Sequence, residues 1–130
     1  FHSTHGALEW RSLHFENEFI EDCDRQGNAV VNYTEEHIPF TRIVEHKHFD
    51  YTNQPDTIIT KEYPRNWSVG REKFYPVNDK RNNDLFLKYK KLIDTSRYVF
   101  GGRLADYKYY DMHQVIASAL HNFSKIHLTN

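Results

Sequence analysis

Residues 10–20 read WRSLHFENEFI, and in this stretch Leu13, Phe15 and Phe19 alternate with His14, Glu16 and Glu18. Alternation at a period of two places every second side chain on the same face, which predicts a half-buried β-strand from Trp10 to Ile20. The polar run DCDRQGN at 22–28 carries turn chemistry, and AVVNY at 29–33 resumes extended structure with β-branched residues and Tyr33, so a hairpin is expected. IPFTRIVEHKHF at 38–49 reads as a third strand with Ile38, Phe40, Arg42 and Val44 on one face. Pro39 lies near its start, where the missing donor is tolerated. TIITKEY at 57–63 reads as a fourth strand, ending at Pro64.

Beyond the strands, RNWSVGREKFYPVN at 65–78 fits neither period and reads as a long loop of the kind that often carries function. Apolar residues at 85, 86, 89, 92 and 93 then mark a helix running from Asn78 or Asp79 to about Ile93. A short strand, YVF at 98–100, leads into GGRLADYKYYDM at 101–112. Met112, Val115, Ile116, Ala119, Leu120 and Phe123 follow at helical spacing, the clearest amphipathic helix in the chain. Antiparallel strands, a helix, a short strand and a final helix make an α+β arrangement, or the tail of a larger α/β protein.

Composition narrows the partners. The 130 residues are about one domain, enough to bury roughly two-thirds of the unfolded surface. Hydrophobic residues are 38%, but the 15% aromatic share supplies its apolar surface in large pieces, which argues against disorder. A formal charge of -1 offers no global field for a nucleic-acid backbone, so an anionic ligand must be met locally. No apolar run reaches the roughly 20 residues of a membrane helix, and FHSTHG is not a signal peptide. Cys23 stands alone and fits a reducing, cytoplasmic setting, while Phe1 in place of a starting Met reads as a fragment.

Several residues carry chemistry, each with a plainer alternative. Asp111 with Gln114 makes a capping box, which alone accounts for both residues. A helix entered through GGR also presents free N–H groups and a partial positive charge to a phosphate or an anionic ring edge. Arg42 on an otherwise apolar face needs a carboxylate or phosphate partner, and a structural ion pair would serve. Asn32 among valines is a weaker case of the same kind. Tyr75, Tyr107, Tyr109 and Tyr110 offer phenols to a phosphate or sugar without adding charge, or simply pack. His46 and His48 would share a strand face, but no third ligand follows at a recognisable spacing, so no metal site is assigned. Cys23 has no nearby His to activate it as a nucleophile. GxGxxG, GxxxxGK[ST] and GxSxG are all missing from the chain, so most of any cofactor site lies elsewhere.

Taken in order, LEWRSLHFE, QGNAVVNYTE, FTRIVEHKHF, TKEYP, FYPVN and GGRLADYKYYDM resemble the C-terminal third of the bacterial UDP-galactopyranose mutase family, from about Leu8 to Leu120. FTRIVEHKHF and GGRLADYKYYDM are the specific segments. Trp10, Phe40, Phe74 and His113 depart from the family pattern, and none of these changes removes a catalytic group.

The resemblance implies an FAD enzyme that interconverts UDP-galactopyranose and UDP-galactofuranose through a sugar adduct at N5 of the reduced flavin. It implies that Arg42 is catalytic and faces the diphosphate, and that Asn32, Tyr75 and Tyr109 bind substrate. Arg103, Tyr110, Asp111 and Met112 would contact the flavin. Residues 1–95 would be part of the substrate-binding sheet domain, and 96–130 the return into an α/β FAD-binding domain. By the same resemblance the remaining N-terminal part of the enzyme is a partner, members are usually homodimers, and this chain alone binds neither FAD nor UDP-sugar and is inactive. Two alternatives stay open: the C-terminal part of another amine-oxidase-like flavoenzyme, and a non-catalytic phosphosugar-binding module.

Overall fold

The computed structural model of the protein describes residues 1–50 and 53–127. The chain forms two compact units, Phe1–Ser12 with Trp67–Asn130, and Leu13–Asn66. The secondary structure is α+β: antiparallel strands and two helices. Strand β1 is Trp10–Ile20, the same span that the alternation in WRSLHFENEFI predicts. No helix among the described residues is long and apolar enough to cross a membrane.

In the 13–66 unit the strand order is β2 (Val30–Asn32), β3 (Arg42–Glu45), β4 (Thr57–Asn66), β1. The expected hairpin between the first two strands does not form. β2 pairs antiparallel with β3, placing Asn32 opposite Arg42, and Tyr33 N–H donates to the Thr41 carbonyl to close that hairpin. The 21–29 segment is tied elsewhere: Arg25 and Gln26 N–H donate to the Glu45 carboxylate at 2.9 and 2.8 Å, and Cys23 N–H to the Pro55 carbonyl. These non-local bonds satisfy the turn's backbone and hold it on β3.

Three further strand expectations are corrected. The third strand covers only Arg42–Glu45, because Ile38 N–H bonds the Glu35 carbonyl in a turn and His46–His48 is a 3-10 turn. His46 and His48 therefore share no strand face. Phe40 packs edge-on against Tyr33 and Tyr63 instead of extending a face with Arg42. The fourth strand continues past Pro64 to Asn66. β3 pairing ends at Arg42 opposite Glu62, so the edge beside Pro64 needs no donor. The core of this unit is the other face of the ladder, where Ile43 and Ile59 are each 1% exposed and Glu45 is fully buried.

In the other unit β5 (Tyr75–Pro76) pairs with the start of β1, placing Arg11 opposite Tyr75 and Trp10 opposite Pro76. Helix α1 runs Lys80–Lys90, shorter than expected, with Asp79 as its N-cap accepting from Asn82 N–H at 2.7 Å. It buries Asn82 and Leu85, and Lys88 and Lys90 sit where the helix end is negative. YVF is not a strand. Arg97 and Tyr98 N–H turn back onto the Asp94 carbonyl, and with no strand beside them among the described residues Tyr98, Val99 and Phe100 are about half exposed. Helix α2 runs Met112–His127. Its start is as expected: Val115 N–H bonds the Asp111 carbonyl, and Gln114 Oε1 accepts from Asp111 N–H at 2.8 Å.

Candidate functional site

Arg42 lies in the middle of a three-strand ladder, opposite Asn32 on β2 and Glu62 on β4. Its Nε donates to Asn32 Oδ1 at 3.0 Å, and Nη1 stands 3.7 Å from Glu62 Oε1. The structural ion pair that the sequence left open is thus present. It does not exhaust the side chain, which is 39% exposed and carries five N–H donors in a planar fork. Asn32 acts on Arg42 by accepting from Nε, which fixes the fork's plane. Nearby on the same face, Thr60 Oγ1 donates to Asn17 Oδ1 at 2.7 Å, so His46 Nε2, also 2.7 Å away, must be the donor to Thr60.

On the opposite face of the ladder Glu45 is a functional-looking group that sequence reading did not single out. Burial pushes its carboxyl up, but the Arg25 N–H, the Thr57 hydroxyl and the Gln26 N–H together outweigh that and hold it below the usual carboxylate range. Asp24 is likewise lowered, first by the Gly27 N–H and then by His48. Asp24, Glu45 and His48 bring one ligand-type atom each within 4.8 Å of one another. Each is already committed: Asp24 to Gly27 N–H and His48 Nε2, Glu45 to two backbone N–H groups. The signal for Glu45 was its odd-numbered position beside Ile43, hidden by assigning the core to the even-numbered face.

The second cluster belongs to the 1–12 and 67–130 unit. The Arg103 guanidinium carbon lies 4.6 Å from the Tyr109 ring centroid and 5.7 Å from that of Tyr75. The two rings are 5.4 Å apart, and Arg103 Nη2 donates to the Tyr110 carbonyl at 2.6 Å. Sequence reading assigned Tyr75 and Tyr109 to one ligand and Arg103 and Tyr110 to another; the fold gathers all four. Gln114 Oε1 holds Asp111 N–H at the start of the adjoining helix, and Met112, its first residue, is 81% exposed.

Tyr107, counted among the candidate phenols, is instead core. It is 1% exposed, its hydroxyl donates to the Glu9 carbonyl at 2.5 Å, and its ring meets Trp10 edge-on and stacks on Phe86. Burial raises its phenol pKa. Its φ of 50° is left-handed, a conformation the surrounding turns enforce: Asp106 N–H bonds Gly102 O and Lys108 N–H bonds Arg103 O. This reversal places residue 107 inward and leaves 109 outward. Gly101 sits close to α2: a Cβ there would lie 3.3 Å from the Asn122 amide, a tight contact that the amide would have to yield to by a few tenths of an ångström.

The family model described as UDP-galactopyranose mutase matches residues 1–109. The chain belongs to the UDP-galactopyranose mutase family. It is 36% identical over 117 residues to a dTDP-fucopyranose mutase of Escherichia coli. It is 37% identical over 118 residues to a probable UDP-galactopyranose mutase of Klebsiella pneumoniae, and 37% identical over 122 residues to the UDP-galactopyranose mutase of Mycoplasma pneumoniae. These matches cover 88–89% of this chain and 30–31% of the relatives, so the chain spans under a third of their length. The match to the UDP-galactopyranose mutase family takes in the Arg42 cluster and Tyr75, Arg103 and Tyr109 of the second, and stops short of Tyr110 and of α2 at Met112.

Proposed function

We propose that the chain is the C-terminal portion of a flavin-dependent mutase that interconverts UDP-galactopyranose and UDP-galactofuranose. The observation that carries this reading is the family match across residues 1–109. In this reading residues 1–95 contribute to the substrate-binding sheet domain and 96–130 to the FAD-binding domain. The alternatives of an amine-oxidase-like enzyme or a phosphosugar module have no comparable support.

Arg42 would stabilise the charge that accumulates on the diphosphate as the bond from the anomeric carbon to the nucleotide breaks. Asn32 holds its guanidinium plane, which would leave the exposed N–H groups to meet the leaving oxygens. Tyr75 and Tyr109 would donate their phenolic protons to the diphosphate, with Arg103 lying over both rings and fixing their separation.

The residues at the start of α2 fit a flavin. The first helical N–H groups after Asp111 lack intrahelical acceptors, Met112 leaves the helix end open, and Arg103 is already anchored on Tyr110. Arg103, Tyr110, Asp111 and Met112 would hold the ring edge at that positive helix end, where negative charge is favoured. Reduced flavin supplies the nucleophile toward the anomeric carbon. Without the rest of the enzyme, the chain is proposed to bind neither FAD nor UDP-sugar.

The similarity to an enzyme named for dTDP-fucopyranose favours a second substrate within the same chemistry, a dTDP-hexose. The test is to combine this chain with the remaining portion of the Klebsiella pneumoniae relative, reduce the flavin, and separate pyranose and furanose products by chromatography. Conversion of UDP-galactopyranose supports the reading, and conversion of dTDP-fucopyranose alone supports the second. Conversion of neither by a flavin-loaded complex overturns both.

A further inference from the structure

Within the 13–66 unit, His48 Nε2 stands 3.0 Å from Asp24 Oδ1 and 3.6 Å from Glu45 Oε2, and one ligand-type atom from each of the three residues lies within 4.8 Å of the others. Ligands bound tetrahedrally at zinc-like lengths stand roughly 3.3–3.6 Å apart. The three atoms therefore already sit near the spacing that an ion would impose. They come from the 22–28 turn, the end of β3 and the 3-10 turn that follows it. Their existing hydrogen bonds do not fill them, because a carboxylate has about four acceptor positions. The Arg25, Gln26 and Gly27 N–H groups instead orient the two carboxylates, as supporting bonds do for metal ligands.

Two further observations point to a cation here. Glu45 is fully buried, yet the basic group paired with it is an imidazole at 3.6 Å, beyond hydrogen-bond length. Buried charges are ordinarily well paired or bound to metal. The ammonium of Lys47 is turned to the Cys23 carbonyl at 2.8 Å. The Thr57 hydroxyl, on a residue 2% exposed, faces Glu45 without completing hydrogen-bond geometry to any group among the described residues.

We propose that Asp24, Glu45 and His48 form a binding site for a divalent cation of the zinc class, which clips the 22–28 turn onto the end of β3. One imidazole with two carboxylates suits Zn²⁺ better than Mg²⁺ or Ca²⁺, which favour oxygen ligands alone. Asp24 and His48 are partly exposed and leave an entry path, while Glu45 closes the buried side. Both carboxylates only accept, so the Nε2 between them carries a hydrogen. On binding, the Nε2 lone pair goes to the ion and a neutral ring keeps its one proton on Nδ1. The site lies across the ladder from Arg42 and stands or falls independently of the mutase reading.

The experiment titrates Zn²⁺ into the full chain, stripped beforehand with EDTA, by calorimetry, with Mg²⁺ and Ca²⁺ in parallel. One Zn²⁺ per chain is expected, with a raised thermal midpoint, and no saturation by the other two ions at the same concentrations. Asp24→Asn and His48→Gln should each weaken Zn²⁺ binding by roughly tenfold or more. His2→Gln with His5→Gln, which removes a nearby histidine pair outside the site, should leave it unchanged. Circular dichroism in EDTA checks that the variants fold. Long-range ¹H–¹⁵N spectra of the unsubstituted chain give a readout that needs no variant: Zn²⁺ should convert His48 Nε2 from a protonated to a metal-bound nitrogen. No saturable Zn²⁺ binding, binding indifferent to both Asp24→Asn and His48→Gln, or shifts confined to other histidines, meaning an adventitious ion only, overturns the proposal.

Discussion

The guanidinium of Arg103 covers the ring of Tyr109 at 4.6 Å while its Nη2 holds the carbonyl of the next residue, Tyr110. One side chain thereby fixes both the ring and the backbone just ahead of α2. Arg103→Ala is expected to cost about 1.5–3 kcal/mol, mostly from the charged hydrogen bond to the carbonyl. A double-mutant cycle with Tyr109→Ala, read by urea denaturation, should return a coupling of about 0.5–1 kcal/mol. A coupling near zero would show that the stacking holds nothing.

Arg42→Ala separates stability from function. Arg42 is 39% exposed and its carboxylate partner stands at 3.7 Å, so the pair should be worth no more than about 1 kcal/mol. In the assembled mutase, turnover should fall by roughly 100- to 1000-fold, since a preorganised donor to the departing diphosphate is lost. Arg42→Lys should recover little of it, because an ammonium cannot keep both the Asn32 bond and a planar fork. Steady-state rates of the assembled enzyme provide the check, and near-normal turnover in Arg42→Ala would remove the residue from the mechanism.

Glu45 makes part of the fold acid-sensitive. Its folded pKa lies below the ordinary 4.5, so below about pH 5 the folded state binds fewer protons than the unfolded chain. Its contribution is complete above the unfolded value and is lost as pH falls through the folded one. Glu45→Gln should destabilise the protein at neutral pH by about 1–3 kcal/mol and flatten the loss of stability between neutral and acid pH. Denaturation midpoints measured from pH 7 to pH 3 test both halves of the expectation.

Both backbone groups of Glu9 are held by side chains distant in sequence, its N–H by Asn82 Oδ1 at 3.0 Å and its carbonyl by the Tyr107 hydroxyl. Asn82→Ala should cost about 1–3 kcal/mol, since it removes a fully buried side chain and the acceptor of the part-buried Glu9 N–H. Tyr107→Phe should cost less, about 0.5–1.5 kcal/mol, because Val77 N–H also reaches that carbonyl. The two changes converge on one residue and should combine non-additively by about 0.5 kcal/mol or more. Denaturant midpoints at unchanged slope are the measure.

Legibility followed locality. The alternation in WRSLHFENEFI, Asp79 ahead of the 85, 86, 89 stripe, and Asp111 with Gln114 are short-range signals, and each lies where the sequence places it. Partner choice was not legible. The turn at 22–28 looks like a hairpin turn by composition, but it is held by a carboxylate some 20 residues away. YVF has strand composition but pairs with no strand among the described residues. Arg42 was recognisable from its charge among apolar neighbours. The core role of Tyr107 was not, because its neighbours Tyr109 and Tyr110 are chemically the same.

The sequence by itself determined where the backbone takes each local conformation, since strand alternation, caps and helical stripes depend on residues within a turn or two of one another. It also held the family's segments in order, from LEWRSLHFE to GGRLADYKYYDM. Tertiary structure alone decided that Asn32 and Glu62 flank Arg42, that Glu45 is buried, and that Arg103 gathers Tyr75, Tyr109 and Tyr110. The physical reason is that pairing and burial are settled by competition among hydrogen-bond partners far apart in the chain, and no local period encodes which of them wins.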